Sequence, residues 1–311
     1  MVFALAAIGL NLHFGYTGLL NFGQAGFLAV GAYGAAMTVT YLDQSIWLGL
    51  FVAIVAAVVF ALLLGLPTLR LRADYLAIVT IAAAEGIRLL FRSVSLSDYT
   101  GGSTGLNSFA EGFYSVNPLP SGRYGAGPFE FASNTWWFIV FGWSLVALSS
   151  LLVRALIRSP WGRVVKSIRE DEEAARSLGK NVLSFKMQSL VLGGVIGALG
   201  GFMNAVSTRA VQPDNFSTTF TFFAYTALIL GGTARIWGPI IGSMLFWMIL
   251  AFTDNFLNQA VNNDVIPKSI MSNTQVGQVS IMLVGLALAL LMIFRPQGIF
   301  GDKREIELDD R

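Results

Sequence analysis

From Ile46 to Leu69 the sequence carries no charged side chain. As a helix rising ~1.5 Å per residue, such a run is about 36 Å long, and the hydrocarbon core of a bilayer is ~30 Å thick. In that solvent an unpaired backbone group costs several kcal/mol, so a spanning run must be helical or belong to a closed barrel. Further apolar runs of membrane length follow the same pattern at 24–42, 75–92, 134–157, 184–208, 217–234, 237–256 and 277–294. Charged residues make up 12% of the chain and hydrophobic residues 55%, where soluble domains carry about 25% charge. Mean hydropathy is +0.66. The expected fold is an all-α polytopic integral membrane protein with about eight or nine transmembrane helices. Residues 1–294 are read as one transmembrane domain and 295–311 as its tail.

Several function classes drop out. A net charge of +2 with no basic arm gives no sign of a nucleic-acid partner. The chain has no cysteine, which removes disulfides, thiol catalysis and thiolate metal sites. His13 is the one histidine, so no histidine cluster is available for a metal, and a structural role is expected for it. No GxxxxGK[ST] occurs, and the glycine runs at 100–105 and 193–201 lack the lysine of a phosphate loop. No nucleophile–base pair is visible, so no catalytic residue and no cofactor are assigned to this chain. No basic segment precedes the apolar start, as a secretory signal requires. Met1–Leu12 is only about 18 Å long as a helix. It is expected either to cross in part or to continue a natural chain that begins upstream.

Positive charge sets the orientation. Arg70 and Arg72, eight basic residues between Arg154 and Lys186, and the tail residues Arg295, Lys303, Arg304 and Arg311 all fall on one face when the runs are threaded alternately. That face is read as cytoplasmic. The opposite face receives 94–133, 209–216 and 257–276. Its long loop, 94–133, is rich in turn formers ("TGGSTG", "NPLPSGRYGAGP") and is expected to be at least partly ordered. On the basic face, 159–183 opens with Pro160, which ends the preceding helix. From Gly162 it turns amphipathic through Val164, Val165, Ile168, Ala174, Ala175 and Leu178. One short helix lying on the surface and interrupted by Gly179 is predicted.

Within that helix, Glu173-Ala174-Ala175, three residues and Gly179 spell E-A-A-x-x-x-G. This resembles the EAA loop with which permeases of ATP-binding-cassette importers dock onto their ATPase, although the usual downstream I-x-L-P is missing. Small alanines let a helix seat in a cleft, flanking charges set its register, and glycine permits a sharp exit. The wider sequence extends the likeness. "GLNLHFGYTGLLNFGQAGFLAVGAY" (9–33), "LPTLRLRADYLAIVTIAAAEGIRLL" (66–90), "TGGSTGL" (100–106), "SPWGRVVKSIREDEEAARSLG" (159–179), "ILGGTARIWGPIIGSML" (229–245) and "RPQGIFG" (295–301) occur in this order. Together they resemble the signature segments of the permease family of branched-chain amino-acid ABC importers, Liv type, in particular its M-like member. The resemblance covers nearly the whole chain and implies a multi-pass protein of the prokaryotic inner membrane. It further implies a second permease subunit in a heterodimer, two cytoplasmic ABC ATPases that use ATP and Mg, an external solute-binding protein and an amino-acid substrate. Related permeases carry urea, short amides or other amino acids. Family members usually have a full helix before the G-L-N-L segment, which Met1–Leu12 falls short of.

Candidate path residues follow from what a membrane tolerates. "GYTGLLNFGQAGFLAVGAYGAAM" (15–37) is apolar but dense in glycine, with Asn21 and Gln24 inside it. Irregular backbone survives in lipid only where protein buries it or water reaches it, and small residues also serve close helix packing. A re-entrant turn followed by a tightly packed helix on the translocation path is expected, with Asn21, Gly23, Gln24 and Gly26 as its path residues. Pure packing is the simpler reading. Glu85 lies near mid-membrane, where an acid costs ~2.5–3.5 kcal/mol on insertion scales, and Arg88 stands at i+3 to pair with it. The pair either holds the bundle or lines the path. A proton-coupled secondary transporter would instead use Glu85 as its relay. Thr100, Gly101 and Gly102 are expected to form an external turn that closes the path or meets the binding protein. Gly231, Gly232, Gly238, Pro239 and Gly242 break the second half as 15–34 breaks the first, and paired breaks point to a central site.

Overall fold

A computed structural model describes residues 1–70, 73–125, 130–263, 273–294 and 298–300. The apolar runs fold as α1 (Val2–Leu10), α2 (Gln24–Leu42), α3 (Ile46–Thr68), α4 (Ala73–Arg92), α7 (Ser133–Arg158), α10 (Val182–Thr208), α11 (Thr218–Gly231), α12 (Gly238–Asn262) and α13 (Asn273–Phe294). Between them lie the short helices α5 (Ser97–Thr100), α6 (Glu111–Ser115), α8 (Pro160–Glu170) and α9 (Glu172–Ser177). Among the described residues, α2, α3, α7, α10 and α12 are long and apolar enough to cross a membrane by length and composition, and Val2–Tyr16, Thr218–Gly231 and Gln275–Leu286 are shorter apolar helices. α4 has the length, but its sequence carries Asp74, Glu85, Arg88 and Arg92. The all-α polytopic fold is as expected. Of the tail read over 295–311, residues 295–297 and 301–311 lie outside the described residues.

The opening helix is not peripheral. α1 continues as a π-helical turn over Asn11–Tyr16, and Ala4 to Leu10 are buried without interruption. A helix that is apolar all round belongs inside a bundle, and α1 packs against α7, α10, α11 and α12. Small residues let the helices approach. A Cβ on Gly31 of α2 would overlap the Ala198 carbonyl of α10, and one on Gly201 of α10 would overlap the Leu28 carbonyl of α2. This is the small-residue contact that membrane bundles select. The outward faces are apolar instead: Phe51, Val59, Leu63 and Leu66 on α3, Leu148 and Leu151 on α7, and Met248, Phe252 and Phe256 on α12 are exposed. Such a surface would be anomalous in water. In lipid it is the expected one.

The loop 94–133 is ordered over most of its described length. β1 (Leu106–Asn107) pairs antiparallel with β4 (Ala210–Val211), and β2 (Arg123–Tyr124) with β3 (Phe131–Ala132). Phe113 of α6 is fully buried among Trp47, Trp137, Phe141 and Phe202, and Trp137 Nε1 donates to the Phe113 carbonyl at 3.0 Å. The loop is thereby riveted to the ends of α3, α7 and α10.

At the other end the structure corrects one expectation. The single surface helix predicted from Gly162 is two helices, broken at Asp171 (φ −153°, ψ 106°). The Asp171 side chain accepts from Ala174 N at 2.9 Å and so caps α9. Asp is a poor residue for a helix interior and a good N-cap, because its short carboxylate reaches the free N–H groups.

Candidate translocation and coupling site

Residues 18–23 between the π-helical turn and α2 are irregular backbone in the middle of the bundle. Side chains from two other helices help satisfy it. Phe22 N donates to Thr80 Oγ1 of α4 (3.0 Å), Ala25 N to Thr221 Oγ1 of α11 (2.9 Å), and Tyr225 OH of α11 donates to the Asn21 carbonyl (3.0 Å). Asn21 Oδ1 accepts from Gly23 N at 2.9 Å. Gln24 Nε2 reaches the carbonyls of Ala6 (3.4 Å) and of Gly193 on α10 (3.3 Å). His13 lies at the centre, with Nε2 3.1 Å from the Leu190 carbonyl and Nδ1 3.0 Å from Asn21 Nδ2. A carbonyl only accepts and an amide nitrogen only donates. His13 is therefore neutral with its proton on Nε2, the structural role expected of it.

The expected break and the tightly packed helix after it are both present, with Asn21 and Gly23 in the break and Gln24 and Gly26 in the first turn of α2. Asn21 and Gln24 are fully buried with their amides bonded within the chain. A Cβ on Gly23 would stand 2.5 Å from the Thr80 carbonyl, and one on Gly26 3.0 Å from Ala84 Cα. Both glycines set the contact between α2 and α4. In this conformation none of the four faces open space.

At the β1–β4 end, Arg88 Nε and Nη2 both donate to Glu85 Oε1, at 2.9 and 2.5 Å. Arg88 Nη1 also meets Asp214 Oδ1 at 2.5 Å, and Arg92 Nη1 approaches the same oxygen at 3.4 Å. Asp214 lies in the 3₁₀ turn Pro213–Phe216. Sequence reading found the Glu85–Arg88 pair but missed Asp214, which is 126 residues away from Arg88 and sits in an ordinary-looking loop. The side chain of Arg88 is 14% exposed, that of Glu85 36% and that of Asp214 58%. Thr100 is buried nearby and accepts from Gly102 N at 3.2 Å. Gly101 (φ 72°) and Gly102 (φ 55°) turn the chain in the left-handed region that favours glycine. β1 follows directly and ties this turn to the Asp214 segment through β4.

At the α8–α9 end, Glu173, Ala174 and Gly179 are exposed while Ala175 is buried against Ile168 and Val182. Of the two alanines read as seating in a cleft, one is already used by its own chain. Gly179 (φ +76°) has open space around its Cα. Glu172 pairs with Arg176 at 2.8 Å and with Lys186, which anchors α9 to the start of α10.

Arg169 of α8 was not singled out by the sequence. Its Nη1 donates to the Gly15 carbonyl at 2.5 Å, and a Cβ on Gly18 would stand 3.2 Å from its Cγ. Lys166 lies 5.9 Å from the Tyr16 ring centroid. From the same π-helical turn, Asn11 Oδ1 accepts from Ala234 N and Asn11 Nδ2 donates to the Arg235 carbonyl, both at 2.8 Å. The surface helix α8, the broken first segment and the 232–237 connection therefore meet around residues 11–18. No spacing in the sequence signals that meeting. Among the described residues no cluster of His, Asp or Glu is arranged to hold a metal ion.

A helical multi-pass bundle, broken in both halves and carrying a surface helix bonded to one of the breaks, has the architecture of a membrane transport subunit. Residues 1–294 match the family described as branched-chain amino acid transport system permease components. The chain belongs to that family. Its curated relatives include the high-affinity branched-chain amino acid transport system permease protein LivM of Escherichia coli, 28% identical over 96% of this chain and 68% of that protein. The permease protein LivH of the same named system in E. coli is 26% identical over 82% of this chain and 83% of its own length. The nucleoside ABC transporter permease protein NupC of Lactococcus lactis is 27% identical over 74% and 71%. No solved structure matches.

Proposed function

We propose that this chain is the transmembrane permease subunit of an ABC importer for branched-chain amino acids, coupled to ATP hydrolysis in separate ATPase subunits that use ATP and Mg. The observation that carries the reading is Arg169. It joins the helix beside the exposed Glu173-Ala174 and Gly179 face directly to the Gly15 carbonyl of the broken segment. A push on α8–α9 from outside the chain then bears on the segment that would have to move for a path to open. The positive charge of 154–186 supports a cytoplasmic location for that face, with the tail on the same side of the inner membrane. A second permease subunit is supported by likeness to two different permeases that share one system name. An external solute-binding protein completes the machine and would meet the Thr100–Gly102 turn. On this reading Asn21, Gly23, Gln24, Gly26 and Glu85 border the path, which is closed in the conformation described.

A second substrate class is favoured by one observation, the likeness to a nucleoside permease. Reconstituting the chain with its partner permease, ATPases and binding protein in liposomes separates the two. Labelled leucine should enter in step with ATP hydrolysis, survive a protonophore and resist competition by nucleosides. Nucleoside uptake without leucine uptake would reassign the substrate, and uptake without ATP would remove the importer reading.

A further inference from the structure

α7 and α12 flank α1 and leave a groove between them, and Trp143 lines two cavities in it. The cavity toward the α8 end has a volume of about 240 Å³. Its walls are Val146, Leu151, Ile236 and Ile240, and the hydroxyl of Ser150 on its lining is turned back to the Val146 carbonyl at 2.7 Å. The one charged group on the lining is Arg154. It lies three turns beyond Trp143 on α7, about 16 Å along the helix.

Arg154 is half-buried, and among the described residues it has no ion-pair or hydrogen-bond partner. An arginine in a membrane helix pairs with an anion or reaches the polar interface with its long stem. This one borders an apolar cavity that opens among side chains facing the lipid. Trp237, 62% exposed at the start of α12, lines the same cavity, and tryptophan marks the level of the lipid headgroups. Arg158, one turn further on α7, adds positive charge at that level. A guanidinium binds a phosphate through two parallel N–H donors, and the apolar walls below it suit a hydrocarbon chain. A helix with its side chains is about 10–12 Å across and is too wide for a cavity of this volume.

We propose that this cavity is a binding site for one anionic glycerophospholipid, with its phosphate on Arg154 and an acyl chain between Val146, Leu151 and Ile240. The site is independent of what the protein transports. The test is native mass spectrometry of the full chain, delipidated in detergent and then offered phosphatidylglycerol or phosphatidylcholine. The wild type should retain phosphatidylglycerol in preference. Arg154→Gln should lose that preference, and Ala147→Phe, which puts a ring into the cavity from its wall, should lose retention of both lipids. Thermal unfolding of each variant without lipid separates lost binding from lost folding. Equal retention of the two lipids by the wild type, or undiminished phosphatidylglycerol on a folded Arg154→Gln variant, would overturn the proposal. So would a crosslink from a cysteine at Ala147 to the partner permease in the assembled importer, because the groove would then hold protein.

Discussion

The two glycine-broken segments solve the same physical problem with different materials. Between Gly15 and Gly26 the irregular backbone is satisfied by side chains, with Thr80, Thr221, Tyr225 and Asn21 each pairing a group that the helix would otherwise have paired. Between Gly231 and Gly242 a single side chain, Asn11, pairs Ala234 N and the Arg235 carbonyl, and the rest of the work is done by backbone contact. Cβ atoms on Gly231 and Gly242 would overlap the carbonyls of Gly238 and Ala227, and the chain at 299–300 returns to donate to the Leu230 and Gly231 carbonyls at 3.0 and 3.3 Å. Side-chain hydrogen bonds exchange partners by rotating about single bonds. A glycine contact has no second arrangement. The first break is suited to switching and the second to holding the α11–α12 hairpin rigid.

That contrast is broken most directly by filling the rigid break. Gly242→Leu should cost well over the ~1–3 kcal/mol typical of an overpacked core, because the obstacle is a carbonyl and not a movable side chain. The full chain should fail to elute as a single species on size exclusion in detergent. A variant that elutes and melts like the wild type would remove the distinction between the two breaks.

Disturbing the outer face beside the first break should abolish function while sparing the fold. Ala174→Arg should leave the chain inserted and folded but unable to retain the ATPase on co-purification, and Gly179→Val should do the same with added backbone strain at φ +76°. Normal transport-linked ATP hydrolysis in either would sink the docking role of this face.

Arg169→Ala should act one step further in. Loss of a charged hydrogen bond costs ~1.5–3 kcal/mol at most, so assembly should persist while uptake per ATP hydrolysed falls. Arg169→Lys should recover part of it. A parallel fall in uptake and hydrolysis would make Arg169 a fold residue only.

Smaller effects sharpen the picture of a rewirable knot. Thr221→Val leaves Ala25 N without its partner, at ~1–3 kcal/mol for an unsatisfied buried group, and should lower the melting temperature without preventing assembly. In a chain with no native cysteine, cysteines at Asn21 and Gln24 should resist hydrophilic thiol reagents at rest and react when ATP is supplied to the complex. Inertness in every state would leave these positions as packing alone. Glu85→Gln should change least, since Arg88 keeps Asp214. Abolished uptake in that variant, together with sensitivity to a protonophore, would instead mark Glu85 as a proton relay.

Much of the fold was legible because lipid leaves a chain few options. The runs at 24–42 and 46–69 reappear as α2 and α3 almost to the residue, since the apolar length dictates the helix. Harder to read were the contacts that join distant turns. Asp214 looked like a loop residue until the fold laid it on Arg88, and Arg169 looked like one of many basic residues until it met Gly15. The Asp171 break was written in the sequence as a capping residue, but the amphipathic pattern running across it concealed the change of direction.

The sequence by itself determined the class of solvent, the helical secondary structure, the places where helices break and the pairing available within one helix at Glu85 and Arg88. These follow from local chemistry, because hydrogen bonds within a helix and transfer into lipid depend on neighbours a turn away. Only the tertiary structure decided that the short first helix is the centre of the bundle, that Ala175 faces inward, that the amides of Asn21 and Gln24 are spent inside the core, and that α8 is bonded to the break. Each of those depends on which surfaces meet across a hundred or more residues, and a one-dimensional pattern of polarity says that a polar group needs a partner without saying which.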